Sequence, residues 1–163
     1  MNQSEFLSDR LTRSIEIVKR TVDDFTDSDL IVRPAPGANH AAWQLGHLVN
    51  AEVGLVNAVA PGAVPAPPGE FSNRFTKGTA KSDDPATFPS KDEILRQLTR
   101  TRTATVTWVK GLSDADLEKP GPERMRSVTP TVAHLASMLA SHVAMHLGQI
   151  QVIRRKLGKP VLF

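Results

Sequence analysis

The chain has 163 residues, an apolar fraction of 40%, a formal charge of +3 and no cysteine. That composition supports one domain with a packed core. It excludes disulfides, thiolate ligands and an internal thiol nucleophile, and it offers no basic block for nucleic acid. No run of about 18 apolar residues occurs, so no membrane span is expected, and the polar start MNQSEFLSDR makes the cytoplasm the default location.

The first predicted helix runs from about Gln3 to Phe25. Leu7, Leu11, Val18, Val22 and Phe25 form its apolar stripe, with Ile15 beside it. Asp27-Ser28-Asp29 begins a turn, and Pro34-Ala35-Pro36-Gly37 makes an extended connector. The second helix extends from Asn39 or His40 to Ala60 and is stopped by Pro61-Gly62. Leu45, Leu48, Val49, Leu55, Val56 and Val59 cover one side of it. Trp43, His47, Ala51, Gly54 and Ala58 cover the other. A helix apolar on both sides is buried on both, which points one face at the core and the other at a second subunit. Glu52 stands inside the leucine face, either as a rim charge or as a buried one that needs a partner.

Residues 61–89 form a long proline-rich connection with Phe71, Phe75 and Phe88 as its large anchors. Connections of this length are often functional. A lid or pocket wall and a plain surface excursion are both open readings. The third helix starts at a capping-box pattern, Ser90-Lys91-Asp92-Glu93, carries Ile94, Leu98, Thr101, Thr105 and Trp108 at helical spacing, and ends near Gly111. Leu112 to Leu117 makes a turn, and Pro120-Gly121-Pro122 a rigid link. The fourth helix occupies Thr129 to Gly158, with Thr129 as N-cap, Pro130 at the first helical position, and Gly158 then Pro160 as the stop. Val132, Leu139, His146 and Ile153 recur one heptad apart along it, as do Ala136, Val143, Ile150 and Leu157. The pattern predicts an all-α, four-helix bundle forming a single domain over residues 1–163, with a long loop between helices 2 and 3. The order of the helices in space is not contained in it.

There are five histidines: His40, His47, His134, His142 and His146. His146 occupies an apolar seam position, and His142 lies one turn before it. Rings at i and i+4 have Cβ atoms roughly 6 Å apart and can share one divalent ion through bonds of about 2 Å. The same spacing also arises by chance. A third ligand must come from another helix, and His47, mid-helix among Trp43, Ala51 and Gly54, is the best candidate. Three neutral imidazoles with a position left open make a catalytic type of site for zinc, nickel or a similar ion. His134 could line the same pocket or be partly exposed near its helix start. His40, at a helix start, reads as structural.

The stretches RPAPGANHAAWQLGHLVNAE (Arg33 to Glu52) and HVAMHLGQIQVIRRKLGKP (His142 to Pro160) resemble the DinB/YfiT-like family of metalloenzymes. The motifs that carry the resemblance are W-x-x-G-H-L and, about a hundred residues later, H-x-x-x-H-x-G-Q. The first helix and the DSDL and DADL turns fit as well. The resemblance implies a bundle of DinB-like topology, often dimeric, with His47, His142 and His146 as metal ligands. Some relatives join low-molecular-weight thiols such as bacillithiol to electrophiles, and another is a mycothiol-dependent maleylpyruvate isomerase.

Two functions follow as expectations. The first is a metal-dependent S-transferase or isomerase that activates an external thiol against a small-molecule electrophile, with a metal-bound thiol or water as the reacting group. The second is a non-catalytic, stress-associated metal-binding homodimer. Gln149 and Arg154 are candidate cofactor-binding residues, with Arg155 and Lys156 nearby. Helix-end charge favoured by the macrodipole is the alternative reading for the cations. Neither nucleic acid nor a membrane is an expected partner.

Overall fold

The computed structural model describes residues 1–162. The expected domain over 1–163 extends one residue further, to Phe163, which lies outside the described residues. Among the described residues seven α-helices form: α1 (Gln3–Val22), α2 (Asp27–Leu30), α3 (Ala41–Asn57), α4 (Gly69–Ser72), α5 (Lys91–Lys110), α6 (Asp114–Leu117) and α7 (Val132–Lys156). Four of them are long and make the bundle, and among the described residues there is no strand.

Each long helix starts where a side chain takes over a backbone N–H that has no partner within the helix. Asn2 accepts from the Glu5 N–H, His40 from Trp43, Ser90 from Glu93 and Thr131 from His134. The last helix therefore begins later than the expected Thr129–Pro130 start. Thr131 is extended, the Pro130 carbonyl accepts from the Gly121 N–H at 2.9 Å, and the buried Thr129 hydroxyl donates to the Met125 carbonyl at 3.0 Å. Those bonds hold the preceding link in place and leave Thr131 as the first residue free to cap. The capping box at Ser90 is half made, because the Glu93 carboxylate turns to Arg96 and Gln97. The two turns expected at DSDL and DADL are one-turn helices, α2 and α6. Each has a complete capping box, Thr26 with Asp29 and Ser113 with Asp116, and each buries its leucine, Leu30 or Leu117.

The first helix ends at Val22 rather than Phe25, although Phe25 stays in the core. The Lys91 ammonium explains the stop. It donates to the carbonyls of Asp23 at 2.9 Å and Phe25 at 2.7 Å, so the chain leaves the helix with its free carbonyls satisfied. At the far end of the bundle, Gly158 adopts φ +69°, the left-handed conformation that closes α7, and the Lys159 N–H donates back to the Arg154 carbonyl.

Long-range bonds give the helix order. Arg10 reaches Ser137 near the start of α1 and α7, and Arg154 reaches Thr21 near their ends, so these two helices run parallel. Lys91 meets the end of α1 while Arg102 meets Leu11, so α5 runs antiparallel to α1. Gln44 meets His146 and His47 meets His142, so α3 opposes α7. Each of α1 and α3 packs on both α5 and α7. The bundle is thus up–down–down–up. Because α3 and α5 are parallel, the chain between them must return along the bundle, and α3 alone is about 25 Å long at 1.5 Å per residue. That return is the physical reason for the long 61–89 connection.

The connection is a wall pinned to α3. Arg33 donates to Asp83 and to the carbonyls of Ala38, Ala80 and Ser82. Asn50 donates to the Ser72 carbonyl and Trp43 Nε1 to the Thr76 carbonyl, both at 3.0 Å. Phe71, Phe75 and Phe88 are all buried as anchors. Phe75 lies flat against Gly46, where an added Cβ would fall inside the ring's envelope. Gly46→Ala is therefore expected to cost about 1–3 kcal/mol, the usual penalty of overpacking, and to loosen the connection. Urea denaturation with limited proteolysis of residues 61–89 measures both, and an unchanged midpoint and cleavage rate would refute the close-approach role of Gly46.

Candidate metal centre

Helix α3 is buried along Leu45, Leu48, Val49, Leu55 and Val56, which turns His47 toward α7 on its neighbouring face. On α7 the apolar seam places His146 among buried side chains, and the helical repeat stacks His142 above it. The three rings converge. Their centroids lie 5.3 Å apart for His47 and His142, 5.5 Å for His47 and His146, and 4.8 Å for His142 and His146. One ring nitrogen from each lies within 4.8 Å of the others. His142 Nε2 and His146 Nε2 are 3.1 Å apart. Two nitrogens bound at about 2 Å to a shared ion in tetrahedral geometry stand about 3.3 Å apart, so the pair fits a metal with little movement.

The surroundings suit that use. His146 is 7% exposed, whereas His47 and His142 are half-buried, so the cluster has a dry side and an open side. Burial is the largest cause holding all three imidazoles below their ordinary pKa, and the neighbouring His142 and His47 help bring His146 to about 4. The rings are then neutral near pH 7, the state a metal requires. Among the described residues, no carboxylate or fourth histidine joins the group. An ion there would keep positions for outside ligands, as catalytic sites do.

The same pKa shifts predict a pH dependence. The unfolded chain takes up protons near pH 6.5 that the folded site refuses until lower pH, so stability is lost as pH falls from about 6.5 toward about 4. In chelator, the Tm of the wild type should drop across that window, and His146→Gln should drop less. A flat profile for the wild type would overturn the account.

The histidines rest on Trp43, the first residue of the W-x-x-G-H-L motif, and on Gln44 beside it, which carried no sequence signal of its own. Trp43 stacks on His47 with ring centroids 5.0 Å apart and planes 7° from parallel, while its indole N–H holds the Thr76 carbonyl. Gln44 Oε1 lies 2.8 Å from His146 Nδ1, and Gln44 Nε2 donates to the Asn39 carbonyl at 2.6 Å. Beyond them, Glu52 is the buried charge with a partner, pairing with Arg102 at 2.6 Å.

The remaining candidates stand elsewhere. Arg154 is buried at 1% exposure, and its guanidinium is spent on Asp24 and on the carbonyls of Thr21 and Pro160, so it offers no cation to a cofactor. Its spacing from His146 placed it near the site, but its helix face points to α1. Gln149 is half-buried one turn beyond His146. Arg155 and Lys156 are exposed at the helix end. His134 is exposed, with Nδ1 2.8 Å from the Thr131 hydroxyl. His40 is fully buried as the cap of α3, with Nδ1 accepting from the Trp43 N–H and Nε2 donating to the Ser82 carbonyl at 3.2 Å. Two cavities, of about 440 and 540 Å³, open elsewhere, one beside Phe71 and Phe88 and one beside Trp108 and Val132.

Fold and site together define a helical bundle with a three-histidine group able to hold a metal ion. The chain belongs to the DinB superfamily, whose family model matches residues 10–150, a span that includes His47, His142 and His146. No curated protein matches the chain. No described helix is long and apolar enough to cross a membrane.

Proposed function

We propose that this protein is a metal-dependent enzyme that uses His47, His142 and His146 to activate an external low-molecular-weight thiol for S-transfer or isomerisation of a small electrophile. The observation that carries the reading is the convergence of three neutral imidazoles on a half-open face. A divalent ion such as zinc or nickel supplies a Lewis acid there that lowers the pKa of a thiol or water. The chain's own residues hold it from two helices, keep its inner side dry through His146, and leave the His47 and His142 side open to ligands. The absence of cysteine agrees with a thiol brought by the cofactor. Such thiols are kept reduced in the cytoplasm, the location this reading implies.

Elemental analysis of the purified protein, followed by turnover of an aromatic or epoxide electrophile with a panel of thiols, tests the proposal. Bound metal with thiol-dependent loss of electrophile is the expected result. A protein that takes up no divalent ion would end this reading.

A second reading is favoured by the ligands' coming from both α3 and α7. A metal there would staple the two helices, with no turnover, in a stress-associated dimer. Gly54 on α3, Ala58 at its C-cap and Met145 on α7 are exposed and small or apolar, which suits the approach of a second copy. Light scattering reads this out as a species of twice the 17.7 kDa chain mass.

A further inference from the structure

Metal ligation by an imidazole depends on which nitrogen carries the proton, because only the unprotonated one has a lone pair to give. The Asn39 carbonyl oxygen can only accept. Gln44 lies 2.6 Å from it and must therefore present its Nε2 amide there, since the reversed amide would oppose two oxygens at that distance. Gln44 is 1% exposed and has little freedom to turn away. Its Oε1 is then fixed against His146 Nδ1 at 2.8 Å, and an amide oxygen can only accept. His146 must be the donor at Nδ1, which leaves Nε2 bare and aimed at His142 Nε2 at 3.1 Å.

We infer that Gln44 is a positioning residue that locks His146 into the Nδ1–H tautomer, with the Asn39 carbonyl orienting Gln44 in turn. The chain Asn39–Gln44–His146 presents a preformed lone pair to the centre. It also assigns His142 a change of tautomer. Facing the bare His146 Nε2 at 3.1 Å, His142 donates from Nε2 in the metal-free protein, and the proton must sit on Nδ1 once Nε2 becomes a ligand. His146 has no such rearrangement to make. The inference about metal affinity rests on the proposed function above, whereas the tautomers belong to the metal-free protein.

Long-range ¹⁵N–¹H correlation spectra of the histidine rings, recorded first in chelator, test this. The expected wild-type result is His146 protonated at Nδ1 and His142 at Nε2, with zinc moving the His142 proton to Nδ1 and leaving the His146 proton in place. Gln44→Met, which keeps bulk without an acceptor, should lose the His146 preference and bind zinc about 10–100-fold more weakly in a chelator competition. Gln44→Glu keeps an acceptor for the His146 Nδ1–H but sets an oxygen against the Asn39 carbonyl, so it should keep the His146 tautomer while binding zinc more weakly than wild type. A wild-type His146 protonated at Nε2, or a folded Gln44→Met variant with unchanged tautomer and affinity, would overturn the inference. Should Gln44→Met not fold, the wild-type spectrum still decides. Wild-type protein that shows the expected tautomers but binds no divalent ion would refute the proposed function while leaving the tautomer lock standing.

Discussion

Replacing His47, His142 or His146 with alanine should abolish the stabilisation that divalent ions confer on the wild type. A ligand that binds only the folded state at about 100 times its Kd adds about 2.7 kcal/mol, which for a chain of this size raises Tm on the order of 5–10 °C. Removing one of three ligands should weaken binding by more than the 10–100-fold typical of losing an outer partner, so the increment vanishes at the same metal concentration. The variants should differ without metal. His47 and His142 are half-buried and their loss should be mild. His146 is buried, and its loss strands the Gln44 oxygen, which costs about 1–3 kcal/mol. Thermal scans with and without zinc or nickel give the answer. Metal-induced shifts equal to wild type in all three variants would mean that the ion binds elsewhere.

Breaking the Glu52–Arg102 pair should produce the largest loss of stability. Both side chains are about 4% exposed, and the guanidinium makes a two-pronged contact with the carboxylate, at 3.0 Å and 2.6 Å. Its remaining nitrogen donates to the Leu11 carbonyl and to the Ser14 hydroxyl at 2.6 Å. One side chain thus ties α1, α3 and α5 together at mid-bundle. Arg102→Met leaves the Glu52 charge buried without a partner and should cost about 3–5 kcal/mol, a large share of the 5–15 kcal/mol that holds a domain together. The double variant Glu52→Leu, Arg102→Met removes both charges and should recover much of that loss, because desolvating the two ions offsets their attraction. Urea titrations of both variants check the sign of the coupling. A single variant within 1 kcal/mol of wild type would show that the pair is solvated in solution.

Most of the helices were legible along the chain. Apolar residues at helical spacing, with His40 and Ser90 at the starts and Gly158 at the end, state where a helix can form, because propensity and capping act within one or two turns. The start of α7 was misplaced because Thr129 and Thr131 are equally good caps locally. The choice between them came from the Gly121–Pro130 bond, which belongs to the tertiary link. Whether Glu52 was a rim charge or a buried one was equally open until Arg102 met it from α5.

The sequence by itself determined that this is an all-helical chain with histidines in an apolar seam and a third on a second buried helix, since periodicity reports which residues share a face. Tertiary structure alone decided which faces meet. Up–down–down–up order sets α3 antiparallel to α7, bringing Gln44 to His146 and His47 to His142 across a hundred residues of sequence. It also took Arg154, near the histidines in sequence, to Asp24 on the α1 side. A face is a local property, whereas its partner depends on how every other face in the bundle is buried.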